Sequence, residues 1–410
     1  MKALVILLFS VLSAINYSFA QTGINGSNAT ITGQTGVVTT TVPFLLISPD
    51  ARAGGMADVG VAVTPDANSI YWNPSKLAFA PNDMSFSVGY TPWLSELVPD
   101  ISLTNVSGYK RLDDKSAIGL SFRYFDLGDI TFTNAKNQYL NTFRPDEFAF
   151  DACYSRKLSE HFSLGLTGSF IYSNLSGGTT LSNGEVTRPA VDIAAGISAY
   201  YTKKINIGSR TADWAFGVNI ANIGPKITYT NAVERDFIPT NLKIGGYFNL
   251  HINDNNEIGM ALDLNKLLVP TPPVYEVNSH DSLVYNPDGS PKIVAGRNPK
   301  VSVIQGMIQS FYDAPGGFRQ EMTLIDPSIA FEYWHCHKYA ARIGFFYEDP
   351  NEGDRQYITI GVGIKFKWIN IDLSYLIPTN GRTTVTPSPL ENTFRISLSA
   401  NINKGKLVKS

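Results

Sequence analysis

From Met84 onward the chain breaks into segments of about ten residues in which apolar and polar side chains alternate. Successive side chains of a strand point to opposite faces, so each segment carries one apolar and one polar face. Tilted, about ten residues suffice to cross the hydrocarbon core of a bilayer. Tyr357 to Phe366 is the clearest case. Ile358, Ile360, Val362, Ile364 and Phe366 share one face; Thr359, Gly361, Gly363 and Lys365 share the other. Thr393 to Ile402 repeats the pattern, with Phe394, Ile396, Leu398 and Ala400 against Arg395, Ser397 and Ser399. In Glu257 to Asn265, Ile258, Met260, Leu262 and Leu264 oppose Gly259, Ala261, Asp263 and Asn265.

Similar segments run at 84–92, 101–111, 116–126, 147–157, 162–173, 190–201, 213–222, 241–250, 327–335, 338–348 and 369–377. The total is about fourteen, an even number as single-chain bacterial barrels require. The connections alternate in length. Short ones (Leu112–Lys115, Leu158–His161, Ile252–Asn256, Cys336–His337) take turns with long ones (Leu127–Asp146, Asn174–Pro189, Ile223–Thr240, Lys266–Asp326). Outer-membrane barrels have short periplasmic turns and long outer loops. The first connection, Trp93 to Asp100, is of the longer kind, and Thr202 to Ala212 is long for its place.

Energetics decide which face meets lipid. Lys or Arg on the lipid face at mid-membrane costs about 2–4 kcal/mol, and a one-residue slip exchanges the faces of a whole strand. The polar faces hold Arg123, Asp192, Lys243, Asp263, Arg342, Lys365, Asp372 and Arg395, so they are expected to line the lumen, as charges bracing an internal segment. Tyr90, Trp93, Tyr109, Tyr124, Tyr201, Trp214, Tyr347, Trp368 and Tyr375 lie near segment ends, where interfacial aromatic girdles belong. The expected fold is all-β, a transmembrane antiparallel barrel. Charged residues are only 17% and the formal net charge is −2, which argues against a nucleic-acid partner, since that demands a basic face.

The first twenty residues carry a separate message. Lys2 precedes an apolar run from Ala3 to Leu12, and Ser18-Phe19-Ala20 places small residues at a cleavage site before Gln21; this reads as a secretory signal peptide. Residues 21–42 are rich in Gly, Thr, Ser and Asn and are expected to form a flexible periplasmic segment. Residues 43–82 differ. Ser48 is positioned to cap a short helix with Pro49 at its first position and Asp50 beside its positive end. Gly54-Gly55 ends that helix or lets the backbone approach something closely. Asp66 and Asn73-Pro74 mark further turns.

This stretch carries a resemblance. Ser48-Pro49-Asp50-Ala51-Arg52-Ala53-Gly54-Gly55-Met56, followed by Asp66 and Asn73-Pro74-Ser75-Lys76-Leu77-Ala78, resembles the N-terminal hatch of the FadL-like superfamily. Its members are fourteen-stranded barrels plugged by their N-terminal segment. The resemblance implies a lumen hatch over residues 43–82, including Arg52, Gly54, Gly55, Met56, Asp66, Asn73 and Pro74, and a barrel over residues 83–402 with a long outer loop at 266–326 and a tail at 403–410. That loop holds Gln305-Gly306-Met307-Ile308-Gln309-Ser310 and Phe311-Tyr312-Asp313-Ala314-Pro315-Gly316-Gly317-Phe318, which with Thr271-Pro272-Pro273 resembles the PorV family of the type IX protein-secretion system.

The PorV resemblance implies a non-catalytic barrel that docks on the giant translocon barrel of that system, accepts secreted proteins bearing the C-terminal sorting domain, and passes them to the surface attachment complex. From the residues themselves, Val303, Met307, Ile308 and Phe311 fall on one side of a possible short helix. With Tyr312, Pro315 and Phe318 they are the candidate partner surface; the same residues are equally able to form a lid on the barrel rim. The alternative function is a FadL-type channel for hydrophobic small molecules.

Searching for chemistry yields little. His335-Cys336-His337 lacks the further ligands of a zinc site and reads as a turn. There is no Gly-x-Ser-x-Gly elbow, and Gly361-Val362-Gly363 lacks the third glycine of a nucleotide fingerprint. No cofactor and no enzyme activity are expected; the expected surroundings are outer-membrane lipid.

Overall fold

The computed structural model describes residues 37–403 apart from 97, 99, 134–136, 181–183, 231–234, 281 and 380–387. The leader with its cleavage near Ala20, most of the 21–42 stretch and the tail beyond Asn403 therefore lie outside the described residues.

Fourteen strands close into an antiparallel barrel. In chain order they are β1 Met84–Pro92, β2 Ser102–Arg111, β3 Ser116–Asp126, β4 Asp146–Lys157, β5 Phe162–Asn174, β6 Ala190–Ile207, β7 Arg210–Ile223, β8 Asn241–Asn253, β9 Asn256–Leu267, β10 Ile325–His335, β11 Tyr339–Tyr347, β12 Gln356–Phe366, β13 Ile369–Pro378 and β14 Phe394–Ile402. Each pairs with its sequence neighbours, and β1 closes on β14 with Met84 opposite Ile402 and Tyr90 opposite Ile396. Every segment read from the alternation is one of these strands. The closed ring leaves no strand edge unpaired, which a hydrocarbon environment demands.

Accessibility follows the period of two. Along β12, Ile360, Val362 and Ile364 are 47%, 53% and 50% exposed while Thr359 is fully buried. A buried row beside an exposed apolar row is the signature of a filled barrel whose outside meets lipid. The eight charges expected in the lumen all fall on the inward row of their strands. Among the aromatics, Tyr90, Trp214 and Tyr375 are exposed on the outward row, and Trp368 is exposed in the turn between β12 and β13. Tyr109 departs from it. It points inward, 2% exposed, into an apolar cluster with Ile70 and Leu77, because β2 puts odd-numbered residues on the lumen side. Trp93 also turns inward, against the cluster at the long-loop end.

Connections between Thr202 and Ala212 are corrected as well. β6 and β7 continue past the expected ends until Ile207 pairs with Arg210. Only two residues turn the chain, with Gly208 at φ 62°, so short turns occupy one end of the barrel and long loops the other, without exception. By the rule for such barrels the short-turn end is periplasmic.

Residues 43–82 run down the lumen from the long-loop end to the short-turn end and fill it. Helix α1 spans Ala51–Gly54 and α2 spans Ser69–Trp72; a 3-10 turn covers Pro74–Phe79. The described part of the preceding stretch overturns one expectation. Val42 is fully buried, and Thr41 donates its N–H to the Phe237 carbonyl at 3.0 Å. Residues 37–42 thus sit among the long loops, opposite the periplasmic end. The apolar Val42, Phe44 and Leu45 anchor them there against Leu103, Phe125 and Ile171.

Candidate functional site

The plug is built from short polar signals that satisfy its own backbone. Asp50, not Ser48, caps α1: its carboxylate accepts from the Ala53 N–H at 2.9 Å and from the Trp72 indole N–H at 2.7 Å. The cap shifts by two residues because Pro49 precedes the helix instead of opening it. Asn73 caps the last turn, accepting from the Ser75 N–H at 3.2 Å with Pro74 in first position. An Asn73 side-chain N–H also reaches the Val61 and Ala199 carbonyls, at 3.1 and 3.0 Å.

The lumen wall then takes over. The N–H groups of Gly60 and Val61 both donate to Asp263 of β9, at 2.8 and 3.0 Å. Ala51 donates to Ser397 of β14 and Ala57 to Thr359 of β12, each at 2.8 Å. Arg52 forms a fork on Glu332 of β10, at 3.1 and 3.0 Å, and holds Asp66 at 2.9 Å. Glu332 in turn accepts from Arg342 at 2.8 Å, and Arg342 reaches Asp372 at 2.7 Å. On the neighbouring β14 Arg395 meets Asp58 at 2.8 Å, and Asp58 also accepts from the Tyr357 hydroxyl of β12. Of the eight lumen charges, Arg123, Lys243, Asp263 and Arg395 thus touch the plug directly, and Arg342 and Asp372 reach it through Glu332. A charge in this confined space requires such partners, since an isolated buried ion is very unfavourable.

Two plug backbones approach the wall too closely for side chains. A Cβ at Gly361 of β12 would lie 2.9 Å from the Gly55 Cα, and one at Gly344 of β11 would lie 2.5 Å from the Met56 carbonyl carbon. Of the expected hatch residues, Gly54 ends α1 beneath Arg395 and Met56 is buried against Val59 and Tyr247. Arg52, Gly54, Gly55, Met56, Asp66, Asn73 and Pro74 all lie in the segment that occupies the lumen. Sequence reading missed Asp58 and Glu332. Glu332 was findable, since it occupies the inward row between Ala330 and Trp334.

At the long-loop end the connection after β9 is folded rather than loose. Helix α3 spans Val303–Gln309 and α4 spans Phe318–Thr323. Asp313 accepts from the Thr271 N–H at 3.1 Å and the Gln309 amide at 3.3 Å; burial pushes its carboxyl above the usual range. Glu321 accepts from the Ala314 N–H at 2.8 Å and pairs with Lys266 at 3.2 Å, both side chains 7% exposed. Lys266 belongs to the outward row of β9, so the loop covers the outer side of the rim there.

On the helical part of this loop, residues 303–323, six large apolar side chains stay uncovered: Ile304, Ile308, Phe311, Tyr312, Phe318 and Met322; Leu283, Tyr285 and Val294 are exposed in its earlier part. Of the candidate partner residues, Ile308, Phe311, Tyr312 and Phe318 are among these exposed side chains. Val303, Met307 and Pro315 are half-buried instead, because the inward side of α3 is Gly306 and Gln309, with Gly306 set against Phe237. Ile304 and Met322 were missed; their spacing of four from Ile308 and Phe318 is the signal that would have found them.

Elsewhere, His337 occupies a turn in which Cys336 and His337 both take positive φ, and it contacts Glu257 at 3.2 Å. Cys153 and Cys336 are unpaired. Among the described residues, no three His, Cys, Asp or Glu side chains are grouped to hold a metal.

A closed fourteen-stranded barrel with a lipid-facing apolar belt, long loops at one end and a fastened internal plug defines the class: an outer-membrane β-barrel with an N-terminal hatch. The family model described as Type IX secretion system protein PorV matches residues 30–274, more than half of the chain. The chain belongs to that family. It is therefore an outer-membrane component of type IX secretion and not an enzyme. Among solved structures it is similar to the toluene transporter TodX of Pseudomonas putida, at 13% identity and a TM-score of 0.45, covering 87% of this chain and 99% of that one. It is also similar to a FadL homologue of Pseudomonas aeruginosa, at 13% identity and a TM-score of 0.41, covering 90% of this chain and 100% of that one. The toluene transporter TbuX of Ralstonia pickettii is at 10% identity and a TM-score of 0.44, covering 87% and 97%. No curated protein matches the chain.

Proposed function

We propose that this barrel is a docking subunit rather than a conduit. In this reading it binds the giant translocon barrel, receives secreted proteins bearing the C-terminal sorting domain, and hands them to the surface attachment complex. The observation that carries the reading is the apolar surface of Ile304, Ile308, Phe311, Tyr312, Phe318 and Met322 on a loop pinned by Asp313 and Glu321. Contiguous apolar residues held outward on a rigid support are a partner surface. A lid on the rim would bury them.

The family supplies the system in which such a partner is found, and the filled lumen argues against passage through the barrel itself. Deleting the gene tests the role. Sorting-domain proteins should accumulate in the periplasm of the deletion strain; normal export and surface attachment there would refute the proposal.

A further inference from the structure

Beside the hatch, a cavity of about 230 Å³ runs from the short-turn mouth, at Asn82 and Asn401, up to Arg52 and Asp66. One water needs about 10–15 Å³ of such space, so there is room for on the order of fifteen waters or one sugar-sized molecule. The inward rows of β10 to β13 form one wall. Gly363 of β12 leaves the space in which the Arg342 guanidinium of β11 lies: a Cβ there would come within 2.8 Å of Nη1 and 3.0 Å of Nη2. Gly363 pairs with Asp372 of β13, and Lys365 pairs with Asn370. Lys365 therefore stands two residues nearer the mouth, about 7 Å along the strand. Trp334 of β10 completes the wall, with its ring centroid 5.5 Å from the Arg342 guanidinium carbon.

Most charges around this space already have partners. Arg52 holds Asp66 and Glu332, and Arg342 holds Glu332 and Asp372. Glu257 is taken by His251 and His337, each at 3.2 Å. The unused groups are few. Arg342 is 4% exposed, yet its Nη2 makes no hydrogen bond to the protein. The Asn370 Oδ1 is buried and likewise unbonded. Among the described residues, Lys365 has no carboxylate within ion-pair distance, and the Trp334 indole N–H has no acceptor. These three donors and one acceptor all border the same cavity. Their complement is a molecule rich in acceptor oxygens, with acidic oxygens for Lys365 and Arg342 and a hydroxyl to donate to Asn370. Such a wall does not suit a hydrophobic solute.

We infer that this cavity, open at the periplasmic mouth, is a binding site for a sugar-sized, hydroxylated molecule carrying one carboxylate or phosphate group. Lys365 and Arg342 hold the acidic group, and Asn370 and Trp334 hold the hydroxyls.

Titration of the membrane-purified protein tests this, in an amine-oxide detergent that brings no sugar to compete. The probes are glucuronate, glucose 6-phosphate, glucose and inorganic phosphate, followed by calorimetry. Glucuronate or glucose 6-phosphate should bind saturably, and whichever binds tighter identifies the acidic group. Glucose and inorganic phosphate should each bind at least about tenfold more weakly, since each lacks half of the required groups. Lys365→Gln should weaken the acidic sugar at least about tenfold while the heat-modifiability midpoint stays unchanged, and Lys365→Arg should restore binding. Absence of saturable binding by both acidic sugars up to about 10 mM would overturn the inference. So would unchanged affinity in Lys365→Gln, or inorganic phosphate binding as tightly as either sugar.

Discussion

Arg52 of the hatch and Glu332 of β10 meet through two parallel hydrogen bonds of 3.1 and 3.0 Å, with Arg342 of the neighbouring strand on the same carboxylate at 2.8 Å. One buried acid thus bridges two guanidinium groups and joins plug to wall. Removing that acid leaves Arg52 only Asp66 and Arg342 only Asp372 and breaks the link between them, a loss of about 3 kcal/mol. Glu332→Ala should lower the temperature at which the barrel unfolds in heat-modifiability gels, and Glu332→Gln should lower it less. An unchanged midpoint for Glu332→Ala would mean that the pair does not hold the plug.

The glycine approaches make a sharper steric prediction. Gly344→Val pushes a side chain into the Met56 carbonyl, where even a Cβ would sit at 2.5 Å. Overpacking of this kind destabilises by about 1–3 kcal/mol or more. Gly168 offers the control, since nothing lies within 4 Å of a Cβ there. Thermal unfolding in detergent should separate the two: a clear drop for Gly344→Val and no measurable change for Gly168→Ala.

Much of this was legible in the sequence, and the reason is physical. Lipid on one side and a filled lumen on the other force alternation, so about fourteen strands could be read directly, with the faces of those that alternate clearly, such as Tyr357 to Phe366. Alternation fades where strands leave the membrane. Lys203, Lys204, Arg210 and Thr211 continue β6 and β7 with no lipid to select apolar residues, so the turn at Gly208 looked like a longer loop. Tyr109 looked like a girdle residue because position along a strand was read before its row. Residues 37–42 were expected at the periplasmic end because the composition of this stretch hid the start of a short apolar anchor, Val42 to Leu45. The pairing of Arg52 with Glu332 spans 280 residues; no local pattern announces a contact that depends on closing the ring. The loop surface was half legible, since helical spacing finds a stripe but not which side of it faces the rim.

That outer surface yields a functional prediction separable from stability. Ile308 and Phe318 are 58% and 79% exposed, so Ile308→Asp with Phe318→Asp removes no core contact. The double variant should be inserted at normal level, with a heat-modifiability midpoint unchanged to within about 0.5 kcal/mol of stability. Surface-attached sorting-domain cargo should fall at least about tenfold, the result of losing about 1.4 kcal/mol or more from docking. Full secretion by this variant would move the docking surface elsewhere.

Loop order should respond to pH through Glu352. Burial pushes its carboxyl up to about 7, opposed by the Gln320 amide and reinforced by Asp349 and Glu348. That amide links α4 to the β11–β12 loop at 3.5 Å. A raised acid binds more protons folded than unfolded, so its contribution is complete below the ordinary glutamate range and is lost as pH rises through about 7. Protease nicking of the 349–354 loop should accelerate as pH rises from roughly 4.5 to 7, and Glu352→Gln should flatten the profile. A wild-type rate that does not change over this interval would count against the assignment.

The most direct test is to purify the tagged protein from membranes in mild detergent and identify what accompanies it. A docking subunit should bring a very large barrel protein together with sorting-domain cargo, and the Ile308→Asp, Phe318→Asp variant should bring neither. Recovery of the wild-type protein alone, or from the soluble fraction without detergent, would contradict the account.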